Sequence, residues 1–350
     1  MTTSCLPSGE NINSLPFHRI LAALMASRKK SMTHTNLKTG FLTFCLFLSS
    51  FSFGQMKDKA ELRKVSKEIL TLVKDHSIVV DSINWTAFNL EIETEINRIQ
   101  NMDSSDFVIS KIIKQLRKYG DHHSVYSNKA RSEQILSHKT SVLFPTSKLV
   151  ANGIGYLHLP FHLSMNKDEN YRYADTLRKQ IQYLDVNNHI KGWIVDLRDN
   201  YGGNMWPMLA GLNPLLEDNT VGYQVISNHY SSWESNSKKP FGLPKMRNTY
   251  KCKDLKNKIA VLIDTVTASS GEMIAISLLG MGNSKSFGNP TGGYTTTNGT
   301  YRLSNGAYLF LANGYCADRN KKVYMGKIQP DVAVDNSEAM QAAMKWIENK

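Results

Sequence analysis

The chain has 350 residues, 41% hydrophobic and 21% charged, an ordinary globular composition with room for one large domain or two modest ones. Its formal charge of +12 is partly concentrated in the first 55 residues and otherwise scattered, with no basic run interleaved with aromatics. That distribution disfavours nucleic-acid binding and supports no more than a generally basic surface.

In chain order, residues 1–31 read as an upstream extension before Met32, and 32–54 as a signal peptide. Lys38 precedes an apolar run from Gly40 to Gly54, of signal-peptide length and too short for a comfortable membrane span. Small residues before Gln55 put cleavage near Gly54, and Thr43-Phe44 ahead of Cys45 does not fit a lipoprotein signal. The expectation is an exported protein, periplasmic or extracellular, with no stable membrane span once the signal is removed. Cys252 and Cys316 would remain, and a disulfide or two separate buried thiols both stay open.

Residues 55–125 read as a helical N-terminal domain, because Leu62, Val65, Ile69, Leu70 and Val73 recur at helical spacing and Phe107 to Leu116 repeats the pattern. Residues 126–150 are polar and irregular and read as a linker. From 151 to 350, strands alternate with helices. Strands are expected at 153–160, 190–197 and 258–263, and helices at 171–184, 205–216 and 270–279. A hairpin follows around Asn305-Gly306, then a last helix that Ser337 would cap. The alternation implies an α/β domain with a largely parallel sheet covered on its faces.

Three segments carry possible chemistry. In Thr267-Ala268-Ser269-Ser270-Gly271-Glu272, a serine stands where a buried strand ends and a helix begins, near first-turn amides that lack partners. Taken alone, the plainer reading is a helix cap, with Glu272 completing a capping box. In Asp196 to Asn204, a second strand runs into Gly202-Gly203, whose amides could point into a site. In Asp121-His122-His123-Ser124, a histidine could serve as base; no metal-ligand spacing accompanies it.

Together, and in this order, these segments resemble the C-terminal-processing (tail-specific) serine protease family, including the core of the tricorn protease. Gly288-Asn289-Pro290-Thr291-Gly292-Gly293 is similar to that family's Gly-Glu-Pro-Thr turn, and Gln329-Pro330-Asp331 to its closing Pro-Asp. The resemblance implies a crotonase/Clp-protease-like spiral sheet domain of α/β class preceded by a small helical domain. About thirty residues separate His123 from the strand at Gly153, which leaves no room for the family's PDZ domain. The implied roles are Ser269 as nucleophile, with the amide of Ser270 and that of Gly202 or Gly203 as the oxyanion hole. Tyr294 stands where one branch has a lysine, so the base is expected to be His123, as in the tricorn-like branch, with His122 second. Tyr324-Met325-Gly326 stand where that branch has its acid; Asp318 is the candidate here, Asp121 the second. The implied activity is that of an exported serine peptidase acting on peptides or proteins without a metal or organic cofactor. The alternatives are a non-catalytic peptide- or lipid-binding module on the same scaffold, and an esterase or amidase.

Overall fold

The computed structural model describes residues 59–98, 105–136, 143–240 and 243–349. The expected upstream extension and signal peptide, with Cys5 and Cys45, lie outside them. The described residues begin with three α-helices, α1 (59–76), α2 (Trp85–Arg98) and α3 (Ser105–Gln115). Their apolar stripes, including Ile69, Phe88, Ile92, Ile109 and Ile112, make one core.

Residues 126–150, expected as an irregular linker, instead carry β1 (Val125–Ser127), α4 (Lys129–Leu136) and β2 (Thr146–Val150). The two strands span only three and five residues, too short for an apolar periodicity to announce them. β2 adds antiparallel to β3 (Ile154–His158). From there β3, β4 (Gly192–Asp196), β7 (Lys258–Ile263), β8 (Ser284–Gly288) and β12 (Val332–Ala333) run parallel.

Both faces of this sheet are covered, as near-continuous apolar strands require. Trp193, Val195 and Val261 pack beneath α5 (Lys167–Asn187), α6 (Met205–Leu212) and α7 (Ser270–Leu279). Ile194, Ala260 and Leu262 alternate to the other face, under α8 (Asn336–Glu348). α8 is preceded by Asp335 at its N-cap position rather than by the expected Ser337.

The second sheet is antiparallel and was legible only through its hairpin. Its order is β1, β10 (Tyr308–Asp318), β5 (Thr220–Ile226), β6 (His229–Glu234), with β9 (Thr296–Arg302) and β11 (Val323–Tyr324) also paired to β10. Leu309 and Leu311 of β10 enter the same core as the N-terminal helices, and residues from Asp58 onward form one compact unit. Cys252 and Cys316 are separate buried thiols; burial pushes both thiol pKa values up. No helix among the described residues is long and apolar enough to cross a membrane.

Candidate active site

Ser269 follows the parallel strand β7, in a turn tied down on all sides. The Asp264 carboxylate accepts the amides of Val266 (3.0 Å) and Thr267 (2.8 Å). Thr267 Oγ1 donates to Leu197 O at the end of β4 (2.9 Å), and Ala268 N to Asn200 O (3.0 Å). Ser269 itself sits at φ 51°, ψ −121°, a backbone region that costs a non-glycine residue about 1–3 kcal/mol and persists only where the surroundings impose it. The Ser269 amide donates to Glu272 Oε2 (2.9 Å), as the capping box anticipated from the sequence requires. The serine hydroxyl also faces a histidine: Ser269 Oγ lies 3.1 Å from His123 Nε2.

His123 comes from the other sheet, in the loop just before β1. The buried Asp121 shapes that loop, accepting the amides of His123 (3.0 Å) and Ser124 (2.9 Å) and the Ser124 hydroxyl (2.5 Å). Ser124 Oγ in turn accepts Ala312 N of β10 (2.9 Å), which pins the loop to the sheet. The second ring nitrogen, Nδ1, meets Thr296 at the start of β9, at 2.8 Å from Oγ1 and 3.1 Å from the carbonyl oxygen. A carbonyl only accepts, so Nδ1 carries the proton and Nε2 presents its lone pair to Ser269. Burial lowers the imidazole pKa, outweighing the charge of Asp121 and the Thr296 carbonyl, which raise it. The ring of Tyr294 closes edge-on over the imidazole, with centroids 5.3 Å apart. His122, the second choice, is exposed.

Neither expected acid touches the imidazole. Asp318 is buried at the far end of β10, where its carboxylate accepts the amides of Asn320 (2.8 Å) and Lys322 (3.1 Å) and the Tyr324 hydroxyl (3.3 Å). Its oxygens hold the β10–β11 turn, so the expectation that Asp318 orients His123 is corrected. Asp121 acts on the ring through its charge alone, because its oxygens are taken by its own loop. Thr296 stands in the orienting place. No motif marks it, since it belongs to a run of threonines that has no periodicity of its own.

Gly202 and Gly203 lie beside the serine with φ of 111° and 106°. A Cβ on Gly202 would come within 2.9 Å of Ser269 Cβ, a contact that only glycine avoids. The Gly202 amide donates to Asn200 Oδ1 (3.0 Å), which removes it from the expected oxyanion donors. The amides of Gly203 and Ser270 donate to no protein atom among the described residues. Ser270 Oγ donates to Gly203 O (2.6 Å), coupling these two backbones. Glu272, read from sequence only as a cap, is fully buried and does more. Its carboxylate accepts Ser269 N, Gly293 N (2.9 Å), Tyr294 N (2.7 Å) and the Thr291 hydroxyl, joining the serine turn to the segment that leads to Thr296. Burial raises its pKa, against the pull of those four donors.

Known proteins resemble this chain over most of its length. The chain is 28% identical over 310 residues to the nisin-resistance protein of Lactococcus lactis subsp. lactis, covering 87% of this chain and 93% of that protein. A lipoprotein from Streptococcus agalactiae superposes with a TM-score of 0.68 at 25% identity, covering 82% of this chain and 96% of that one. The photosystem II D1 C-terminal processing protease shares the fold, with a TM-score of 0.52 at 12% identity over 84% of this chain and 98% of that one. The profile of peptidase family S41 matches residues 153–334, more than half of the chain, including Gly203 and Ser269. The resemblance read from the motifs is therefore one of membership: the chain belongs to peptidase family S41.

Proposed function

We propose that the protein is an exported serine-type peptidase in which Ser269 is the nucleophile and His123 the general base. The observation that carries this reading is the 3.1 Å approach of His123 Nε2 to Ser269 Oγ, beside two backbone amides with no acceptor among the described residues. In this reading His123 takes the Oγ proton as the oxygen attacks a peptide carbonyl. The carbonyl oxygen becomes an oxyanion held by the Gly203 and Ser270 N–H groups, fixed dipoles of the kind that commonly supply the largest electrostatic term. His123 then gives its proton to the leaving amine, and water, activated by the same imidazole, hydrolyses the acyl-enzyme. Thr296 keeps the Nδ1 proton in place, so Nε2 remains the base. Export is supported by the signal-like segment before Gln55 and by similarity to a lipoprotein. A substrate panel should include nisin, the compound in the name of the Lactococcus relative.

One observation favours a second reading, a non-catalytic binding module: His123 Nδ1 meets a threonine instead of a carboxylate. A fluorophosphonate probe separates the two. Labelling of the protein, abolished in Ser269→Ala and strongly reduced in His123→Ala, supports the peptidase. A folded parent that stays unlabelled favours the binding module.

A further inference from the structure

The segment after β3 has inverted polarity. From Phe161 to Met165 the chain alternates inward and outward residue by residue, as an extended strand does. The inward positions are polar: His162 is 1% exposed and Ser164 2%. The outward positions are the apolar ones: Leu163 is 40% exposed, Met165 57%, and Phe161 is half-buried. A one-residue shift would bury the apolar side chains and solvate the polar ones, and the protein prevents it. His162 Nε2 and Asn170 Oδ1 are 2.6 Å apart, the His162 ring packs on Tyr173 with centroids 4.6 Å apart, and Ser164 Oγ donates to Glu169. Buried polar groups beneath exposed apolar ones are the informative deviation from ordinary burial.

The apolar row adjoins the candidate oxyanion donors. His162 N donates to Gly202 O (3.1 Å) and Asn204 N to His162 O (2.6 Å), so the row runs parallel to the glycine segment. Leu163 Cδ2 lies 3.1 Å from where a Gly203 Cβ would stand. Tyr201, the residue before Gly202, is 45% exposed and stacks on Phe161 with ring centroids 4.0 Å apart and planes 29° from parallel. A peptide whose carbonyl oxygen reached the Gly203 amide would have its neighbouring side chains over these four residues.

We propose that Phe161, Leu163, Met165 and Tyr201 form a specificity wall that selects peptides with large apolar or aromatic residues beside the scissile bond. The inference rests on the peptidase reading and adds its substrate class. Seating an apolar side chain on the wall removes apolar surface from water on both partners, while a charged side chain would have to desolvate there without a partner.

The test is digestion of a mixed-sequence peptide library by the full protein, with the new termini identified by mass spectrometry. Leu, Ile, Met, Phe and Tyr should be enriched beside the cut over Asp, Glu and Lys, by about tenfold or more. In a Leu163→Ser/Met165→Ser double variant that enrichment should collapse several-fold, while Leu163→Met should retain it. Both positions are at the surface, and the enrichment ratio is internal to each digest, so neither reduced expression nor a lower overall rate imitates the effect. Cleavage without apolar enrichment, or a double variant with undiminished enrichment, overturns the wall. A parent dimer that the double variant converts to a monomer without changing selectivity assigns the row to self-association and also overturns it. Parallel fluorophosphonate labelling keeps the two readings apart. A labelled but unselective protein defeats the wall alone, and an unlabelled one defeats the peptidase reading and the wall with it.

Discussion

His123 Nδ1 lies 2.8 Å from Thr296 Oγ1 and 3.1 Å from the Thr296 carbonyl, so a neutral residue holds the imidazole from behind. This places the orienting function on a backbone group supported by a hydroxyl. Thr296→Val removes the hydroxyl and keeps the carbonyl and the side-chain shape. The labelling rate of Ser269 should fall about three- to tenfold, the effect of losing one ordinary hydrogen bond. Asp318→Asn should instead leave the rate per folded molecule unchanged and lower the melting temperature through the β10–β11 turn. A rate that collapses in Asp318→Asn and not in Thr296→Val would reverse this assignment.

The pH dependence has a definite sign. Burial lowers the His123 pKa, so the imidazole stays neutral, and able to accept a proton, to a pH below the ordinary histidine value of about 6.5. Acylation should therefore rise with pH along an acid limb displaced below that value. Asp121 opposes the shift through its charge, so Asp121→Asn should move the limb to still lower pH. The same lowered pKa means the unfolded chain binds the proton more readily, so this group's contribution to stability falls as pH drops through 6.5. A labelling profile against pH for parent and variant checks both directions.

Glu272 accepts four donors with two oxygens, two on each. In Glu272→Gln the amide nitrogen must face two of those donors, leaving them without an acceptor. The expected loss of stability is about 1–3 kcal/mol for each buried donor so stranded, read by chemical denaturation. Acylation should fall as well, because the strained Ser269 backbone and the segment leading to Thr296 are both held by this carboxylate.

Gly203→Ala tests the oxyanion assignment. An added Cβ would meet His162 O at 2.2 Å, and φ of 106° is strained for any L side chain. The amide must move, and losing one such donor should reduce kcat about 10²- to 10³-fold. Steady-state kinetics on a cleaved peptide, beside a thermal melt, would show a kcat loss far larger than the change in folded fraction accounts for. Equal kcat in parent and variant would remove Gly203 from the oxyanion hole.

Much of the architecture was legible locally. The apolar strands at 192–196 and 258–263, the helices that follow them, and the hairpin at Asn305-Gly306 all carry their own periodicity or turn chemistry. The second sheet was not, because β1, β5, β6 and β9 are short, polar or one-sided, and their pairing with β10 is a long-range matter. Residues 126–150 looked like a linker for the same reason.

At the site, the sequence by itself determined which segments are strand-to-helix turns able to present a serine and a glycine pair, and which loop could present a histidine. That follows from hydrogen-bonding and burial patterns contained within each segment. Only the tertiary structure decided what those groups face. His123 meets Ser269 across 146 residues and Thr296 across 173, through the register of β1 and β9 on β10. Asp318 was excluded by its own turn, which lies three residues beyond the Tyr315 that pairs with Thr296 and takes up its carboxylate, and Gly202 by a hydrogen bond from its amide to Asn200. A carboxylate's reach is a few ångströms, and separation along the chain carries no information at that scale.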